Sequence, residues 1–424
     1  MTRTTGRSAT AILLACMSAA PAAAASNETA VLSGYADIAH ATYEDSLVRA
    51  RALDAAIDVL IATPSEATLA AAREAWRAAR VPYQQSEAFR FGNPLVDDWE
   101  GRVNAWPLDE GVIDYVDPDS YGAESDANDF YTADVIANPT LTIAGREIDA
   151  TVIDAALIQS LHEVDEVEAN VTIGYHAIEF LLWGQDLNGT GPGAGNRPAS
   201  DFDTANCTHG NCDRRIQYLT TATDLLVGEL EAMTALWDAG GAARSAIVDA
   251  APERGLAAML TGLGSLSYGE LAGERIQLGL MLHDPEEEHD CFSDNTHFSH
   301  YYDQVGMMNV YLGRYQRIDG SMVERPSLAE LVAAVAPEAD ARVRAAMDAT
   351  LSAMDAMVAS AESGKAYDQL LAAGDAEGNA IVQAVVDALK AQTVAIEGAV
   401  GALGLAEIAF EGSDSLDDPE AVFQ

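Results

Sequence analysis

The hydrophobic positions of this chain recur every three or four residues, which is the spacing of an amphipathic helix. One such face runs from Leu47 to Ile61 and ends before Pro64. The string from Thr63 to Glu66 then predicts a capping box that opens the next helix. Alternating runs of β-branched residues are nearly absent, so we expect an all-α protein. Further helices are predicted over 154–183, from 213 to about 236, and over 252–261, 269–283, 327–361 and 376–402.

The best break between domains lies at Asp238–Ala242, where Gly240 and Gly241 stop a helix. We therefore expect one helical domain over 27–238 and a second over 242–410. Residues 411–424 are acidic and are predicted to be disordered.

Two long segments between the helices carry unusual chemistry. Phe89 to Tyr131 is rich in tryptophan, tyrosine and acids, and Asp284 to Ile318 contains several histidines and acids. Long loops of this kind in a helical protein are usually functional, so the candidate site is expected to draw on them.

The chain is strongly acidic: its 23 Lys and Arg face 67 Asp and Glu, for a formal net charge of -44. That balance excludes a nucleic-acid binder, because phosphate neutralisation needs clustered basic side chains. The hydrophobic fraction of 49% is too high for a disordered acidic polymer. The charge attracts cations diffusely, and a specific site still needs positioned ligands.

The N-terminus has the parts of a secretory signal peptide. Arg3 and Arg7 precede an apolar run, and small residues follow up to Ser26. We expect residues 1–25 to be removed and the protein to reach the periplasm or cell envelope. The alternative is an outer-membrane lipoprotein acylated at Cys16.

Three cysteines remain after the signal. Cys207 and Cys212 enclose a tight loop, and an oxidising compartment predicts a disulfide between them. The alternative is a metal loop of reduced thiols that includes His209. Cys291 has no obvious partner and is expected to be a buried free thiol.

The chemistry concentrates at Gly174-Tyr-His-Ala-Ile-Glu179. Residues three apart share a helix face, so His176 and Glu179 can ligate one metal ion. Gly174 removes a side chain and allows a close approach by another helix or a ligand. The alternative is a core histidine that is hydrogen-bonded to the glutamate, and the pair alone does not decide between the two.

The longer string Gly174-x-His176-x-x-Glu179, followed by Leu182-Trp183-Gly184-Gln185-Asp186, resembles the signature of the imelysin family, also called peptidase family M75. The resemblance is closest to its iron-regulated protein A branch. Supporting strings occur in order at 103–110, 113–116, 212–215, 286–297 and 313–315. The resemblance implies an exported protein of two four-helix-bundle-like domains, associated with bacterial iron uptake, with a site near the domain interface that includes Gly174, His176 and Glu179.

Further candidate ligands come from the two irregular segments and their borders. Glu87, Glu288 and His289 offer the carboxylate and imidazole groups that iron accepts, with exposed loop acids as the alternative reading. Trp106 and Asp109 are expected to line a pocket or to anchor the loop. Arg90, Arg214 and Arg215 are scarce cations that serve either structural ion pairs or an anionic ligand.

Three functions compete. The first is an iron-binding protein of iron uptake that holds the bare ion, a chelate or haem and delivers it to an outer- or inner-membrane transporter. The second is a zinc peptidase, as the family's peptidase label implies; the sequence has no His-Glu-x-x-His, and Glu166 stands where the second histidine of His162-Glu-Val-Asp-Glu166 would be. The third is a scaffold that binds a surface partner without metal.

Overall fold

The structure is a computed structural model that describes residues 19–143, 145–405 and 408–423, with side chains from residue 27 onward. Most of the predicted export signal, including Cys16, lies outside the described residues. The signal's last residues, 19–25, form the beginning of the first helix in the structure.

Helices dominate the described chain, which confirms the all-α prediction. The first half contains α1 (Ala19–Ala62), α2 (Glu66–Ser86), α3 (Pro94–Asn104), α4 (Ala155–Leu161), α5 (Gly174–Trp183) and α6 (Cys212–Trp237). The second half contains α7 (Ala242–Val248), α8 (Pro252–Ser265), α9 (Leu278–Leu282), α10 (Thr296–Leu312), α11 (Leu328–Val335), α12 (Pro337–Glu362), α13 (Tyr367–Leu371), α14 (Ala376–Ala402) and α15 (Asp414–Asp417). A π-helical stretch, Leu266–Gln277, joins α8 to α9.

Two small antiparallel hairpins interrupt the helices. The first pairs β1 (Thr140–Ile143) with β2 (Arg146–Asp149), and the second pairs β3 (Arg314–Gln316) with β4 (Met322–Glu324). The first hairpin lies between α3 and α4 in the chain, and the second lies between α10 and α11.

The capping box of α2 lies two residues later than predicted. Ser65 is the N-cap residue, its hydroxyl accepts from the Thr68 N–H, and the Thr68 side chain accepts from the Ser65 N–H. The cap is therefore made by Ser65 and Thr68, because α1 continues to Ala62 and Thr63 still bonds back to Val59.

The predicted helix over 154–183 is wrong. α4 ends at Leu161, Glu163 and Asp165 adopt positive φ values of 51° and 62°, and α5 begins only at Gly174. The acidic run before residue 169 places like charges on neighbouring turns, which disfavours a helix. The β-branched sequence Val171-Thr-Ile173 disfavours it further.

The predicted helix over 327–361 is also two helices. α11 ends at Val335, and Pro337 begins α12. Proline disfavours the helical conformation in the residue before it, and Ala336 accordingly has φ -148° and ψ 75°.

The helices pack as two connected groups. α1 packs along α2 and α6, and α12 packs along α14 and α10. α10 also packs on α2, and α1 reaches α7 and α8, so both halves of the sequence share contacts. All residues of α5 are buried, which places the Gly174–Glu179 motif in the interior.

The acidic tail, for which the sequence predicts disorder, makes ordered contacts in the structure. The Glu411 N–H donates to Ser265 Oγ over 3.1 Å, and Tyr268 donates to Asp417 over 2.7 Å. Ser415 donates to the Gly273 carbonyl over 3.0 Å, so the tail lies against the π-helical stretch.

Within the described part of the chain, no helix combines the length and the apolar character needed to cross a membrane.

Candidate metal centre

Gly174 is required by the backbone at the start of α5. Its φ is +86°, and a Cβ atom built there would lie 2.6 Å from the carbonyl oxygen of Val103, at the end of α3. Both the conformation and the close approach exclude larger side chains. The glycine thus lets α3 lie directly against the turn that carries His176.

His176 and Glu179 face each other one turn apart on α5. His176 Nδ1 lies 3.1 Å from Glu179 Oε2, and Glu179 Oε1 accepts from the Ser293 N–H over 3.0 Å. His176 is 1% exposed and Glu179 is fully buried. Glu179 thus contacts the imidazole through one oxygen and is held in place by the Ser293 N–H through the other.

The other ring nitrogen of His176 is the notable atom of the site. Nε2 is buried and has no hydrogen-bond partner among the residues that the structure describes. A buried polar atom of this kind is costly unless something binds it. When Nδ1 carries the proton that is shared with Glu179, Nε2 has a lone pair available for a metal.

His289 and Asp290 approach His176 from the loop between α9 and α10. The imidazole rings of His176 and His289 are 4.8 Å apart between centroids. One ligand atom each of His176, His289 and Asp290 lies within 4.8 Å of the others, and all three residues are buried. The sequence prediction of His289 at the site is consistent with this arrangement, whereas Asp290 was missed, although it is the next residue.

Arg80 of α2 contacts the group formed by His176, His289 and Asp290. Its Nη2 atom donates to Asp290 Oδ1 over 2.8 Å and lies 3.2 Å from His289 Nδ1, while Nη1 donates to Asn104 over 2.5 Å. The guanidinium also lies 5.0 Å from the Tyr175 ring centroid. Its position one turn after Trp76, on the apolar face of α2, could have indicated its burial.

Burial governs the charges of the histidines. It lowers the pKa of His176 to about 3, with a further contribution from Arg80. Burial, followed by the charge of Arg275, also holds the pKa of His289 well below its usual range. Both imidazoles are therefore neutral at physiological pH, which is the form that binds metals.

The two carboxylates of the site respond differently. Burial alone would raise the pKa of Asp290, but the Arg80 guanidinium and the hydrogen bond with His289 bring it well below its usual range. Burial and the charge of Asp290 raise the pKa of Glu179 well above its ordinary value. Asp290 therefore keeps its negative charge, whereas Glu179 is ionised, and can accept from His176 Nδ1–H, only when a nearby positive charge such as a bound cation supports it.

Glu87 does not reach this group. Its Oε2 atom accepts from Arg275 Nη2 over 2.7 Å. Arg90 donates to Asp97 over 2.8 Å and to Glu270 over 3.3 Å. Of the two predicted roles for this residue, the structure therefore shows the ion pairs.

Glu87, Arg90 and their partners form an ion-pair network next to the candidate centre. A cavity of about 740 Å³ lies beside this network and is lined among others by Arg90, Arg275 and His289.

The remaining arginine candidates are also structural. Arg215 makes two hydrogen bonds to the Asp114 carboxylate, at 2.6 and 2.9 Å. Arg214 donates to four backbone carbonyls, those of Val135, Ile136, Ala150 and Thr151.

Trp106 and Asp109 line a separate cavity of about 420 Å³. Trp106 Nε1 donates to the Glu288 carbonyl over 2.7 Å, and Asp109 accepts from Asn128 over 2.5 Å. Trp106 thus anchors the loop that carries His289. The Glu288 side chain is not part of the His176 group, and its surroundings are described below.

The predicted disulfide is confirmed. Cys207 and Cys212 are bonded, with Cα atoms 5.9 Å apart. A metal loop of reduced thiols is thereby excluded, and His209 instead lies 2.7 Å from Asp201 Oδ1. Cys291 is a free, partly buried cysteine, as expected.

Known proteins resemble this chain over most of its length. The sequence model of the imelysin family, Peptidase_M75, matches residues 39–396. Iron-regulated protein A of Synechococcus elongatus is 33% identical over 107 residues, a match that spans 24% of this chain and 30% of that relative.

Two solved structures share the fold. One, from Parabacteroides distasonis, is named for iron-regulated protein A and superposes with a TM-score of 0.64 at 20% identity, covering 89% of this chain and 95% of that one. An imelysin-like protein from Psychrobacter arcticum gives a TM-score of 0.61 at 16% identity, covering 91% and 98%. At these identities the likeness shows the fold alone, and it is the family match over 39–396 that carries the assignment: the chain belongs to the imelysin family.

Proposed function

We propose that this protein binds an iron ion at His176, His289 and Asp290 and takes part in bacterial iron uptake. The observation that carries the proposal is the buried, unpartnered Nε2 atom of His176, which lies in a group of three potential ligand atoms within 4.8 Å of one another. A buried nitrogen without a partner needs an explanation, and among the several that the described residues contain, that of His176 belongs to a group of three potential ligands.

The donor set favours iron. Two imidazoles and one carboxylate form the combination that holds ferrous iron in many non-haem proteins, with other coordination positions left for water or a further ligand. Zinc accepts the same groups and is the alternative ion. Glu179 would act behind His176, since a carboxylate that binds the second nitrogen of a ligating imidazole fixes its orientation and raises its basicity.

Arg80 sets the charge balance of this centre. Its guanidinium shares Asp290 with the proposed ion, so one positive charge stands beside the cation. Asp290 and an ionised Glu179 supply two negative charges against it, and a bound cation favours the ionised form of Glu179. The arrangement predicts moderate affinity and a release that responds to protonation, as suits a protein that passes its ion on.

The cavity of about 740 Å³ at His289 offers room for more than a bare ion. A chelate or haem would have to lie there, beside Arg90 and Arg275, and not among the buried ligands. We favour the bare ion because the unpartnered nitrogen belongs to His176, on the buried side of the group.

The predicted export of the chain supports the proposed role. The signal-like N-terminus predicts a periplasmic or envelope protein, and a relative of the chain is named iron-regulated protein A. An iron transporter of the outer or inner membrane is the partner that such a role requires.

Elemental analysis of the purified full chain after export tests the proposal. We expect about one iron per chain in the wild type after loading with Fe(II) under anaerobic conditions, and its loss in His176→Ala and His289→Ala. His40→Ala on α1, whose imidazole lies 2.9 Å from Asp238, is the matched control and should keep the metal. Circular dichroism checks that each variant is folded. Equal metal content in all four proteins would refute the assignment.

The peptidase alternative requires a metal-bound water that a peptide substrate can reach. His176 and His289 are each 1% exposed and Asp290 is fully buried, so no observation on the described residues favours it. Chelator-sensitive cleavage of an unfolded protein by the metal-loaded chain would support it.

A further inference from the structure

A second group of carboxylates lies on the other side of the loop that carries His289. One carboxylate oxygen each of Asp186, Asp294 and Asp368 lies within 4.8 Å of the others. Asp186 follows α5, Asp294 precedes α10, and Asp368 lies in α13. Three separate segments of the chain therefore bring acids to one place.

Glu288 adds a buried and unpartnered oxygen to this group. The residue is 1% exposed, and its Oε2 atom has no hydrogen-bond partner in the described ranges of the chain. Glu288 and Asp186 line the same cavity of about 10 Å³. That volume is about the minimum for one water-sized species. A buried carboxylate with one unpartnered oxygen thus borders a space that a single ion can fill.

Two of the three aspartates also have buried oxygens without a partner, whereas Asp186 Oδ1 accepts from the N–H and the side-chain amide of Asn188 over 2.9 and 2.7 Å. Asp294 Oδ1 is buried and accepts no hydrogen bond within the described structure, and Asp294 adopts a positive φ of 53°. Asp368 is fully buried, and apart from poorly aligned N–H groups of its own helical turn its oxygens have no donor among the described residues.

Repulsion within the group is considerable. Burial and the charges of Asp368 and Asp186 raise the pKa of Asp294 to about 7. Burial, with the charge of Asp186, raises the pKa of Asp368 to about 6. A cation bound among these acids would relieve this repulsion and favour their ionised forms.

We propose that Asp186, Asp294, Asp368 and Glu288 bind a calcium ion, at a site separate from the histidine centre. The ligands are all oxygens, which selects a hard cation over iron(II) or zinc. Two oxygens on opposite sides of Ca²⁺ lie about 4.6–5.2 Å apart, so three oxygens within 4.8 Å of one another are close enough to bind one ion. Mg²⁺ needs shorter, octahedral contacts and retains several waters, and irregular carboxylates from three segments suit it less well.

The bound calcium would tie the two halves of the chain together. It would link the end of α5 and the loop of Asp294 to α13. Ser293, the neighbour of Asp294, donates its N–H to Glu179 Oε1 over 3.0 Å. The ion would therefore also fix the loop that holds His289, although its binding does not depend on the histidines.

Calorimetric titration of the chelator-treated full chain with CaCl₂, repeated with MgCl₂, tests the proposal. We expect one saturable Ca²⁺ site in the wild type and a rise in Tm of several degrees with Ca²⁺. Asp368→Asn and Asp294→Asn should each weaken Ca²⁺ binding at least tenfold and remove the Tm response. Without Ca²⁺ these variants should unfold at or above the wild-type Tm, because one repelling charge is gone. Asp186→Asn, at a partly exposed position, gives the same test if a buried variant fails to fold.

Two controls separate this proposal from its alternatives. Asp355→Asn removes an exposed acid of α12 and should leave Ca²⁺ binding unchanged, which excludes diffuse attraction to an acidic surface. His176→Ala should also keep the calcium site, so loss of the iron centre and loss of this site are distinguishable. The proposal is overturned if the wild type shows no saturable site up to millimolar Ca²⁺, if Asp368→Asn binds as the wild type does, or if Mg²⁺ binds more tightly.

Discussion

Arg80 and Asp290 form a fully buried ion pair, with Nη2 and Oδ1 2.8 Å apart and side chains 1% and 0% exposed. The pair joins α2 to the loop that carries His289, so it couples the candidate centre to the stability of the fold. Replacing Arg80 by Met leaves the charge of Asp290 without its partner. We expect a loss of about 3–5 kcal/mol in the free energy of unfolding, measured with urea.

The matched control for Arg80→Met is Arg51→Met, which removes an exposed ion pair with Glu231. Its side chains are 55% and 51% exposed, so the change should cost no more than about 1 kcal/mol. Equal losses for the two variants would show that the Arg80 pair is not a buried charge pair in solution.

Glu179→Gln tests whether this residue acts through His176. Glutamine keeps the size of the side chain but cannot carry the negative charge that supports a ligating imidazole. Iron affinity should fall about 10–100-fold while His176→Ala abolishes binding. The dependence of binding on pH should also change, because glutamine does not titrate whereas Glu179, with its raised pKa, does. The control is Glu166→Gln, at an exposed position between α4 and α5, which should change neither the iron affinity nor its dependence on pH.

Gly174→Ala should destabilise the protein by about 1–3 kcal/mol, because alanine disfavours the positive φ. The contact of the new Cβ atom with Val103 should add to this loss. Gly228→Ala in α6 makes a clean comparison, since a Cβ atom there meets nothing within 4 Å. In a helix interior it should stabilise by up to about 1 kcal/mol. Denaturant unfolding of both variants measures the two changes in the free energy of unfolding. No change in Gly174→Ala would contradict the close packing of α3 on α5.

Glu110 gives a pH dependence of stability. Burial, followed by the charge of Glu286, raises its pKa from 4.5 to about 8 in the folded protein. Between these values the folded state binds the proton and the unfolded state does not, so its contribution to stability falls as pH rises from 4.5 to 8. Glu110→Gln should remove up to about 1.4 kcal/mol per pH unit of that decline.

The control for Glu110→Gln is Glu338→Gln, an exposed acid in the first turn of α12. It should follow the wild-type profile of unfolding free energy from pH 5 to pH 8. An unchanged slope in Glu110→Gln would mean that Glu110 is ionised in the folded state.

The sequence predicted the parts of the site that depend on local spacing. His176 and Glu179 are three positions apart, which places them on the same face of a helix. Cys207 and Cys212 are close enough in the chain to pair. The sequence could not show that Glu179 is already bonded on both oxygens, because Ser293 is 114 residues away. The sequence also predicted Glu87 as a ligand. In the structure Glu87 binds Arg275 instead, and Asp290 is the carboxylate that lies beside the two histidines.

The helix boundaries show the same limit. The apolar spacing of 154–183 is helical at both ends, but the middle is broken by like charges and β-branched residues that periodicity alone does not weigh. The break also shapes the candidate site, since α5 begins at Gly174 with a positive φ and His176 lies in its first turn.

Iron K-edge X-ray absorption of the Fe(II)-loaded full chain is the most direct test of the proposed centre. The multiple scattering of coordinated imidazole should correspond to two histidines in the wild type, and the signal should disappear with the iron in His176→Ala and His289→Ala. A spectrum of oxygen ligands alone, or two imidazoles retained in His176→Ala, would contradict the assignment of His176 and His289 as iron ligands.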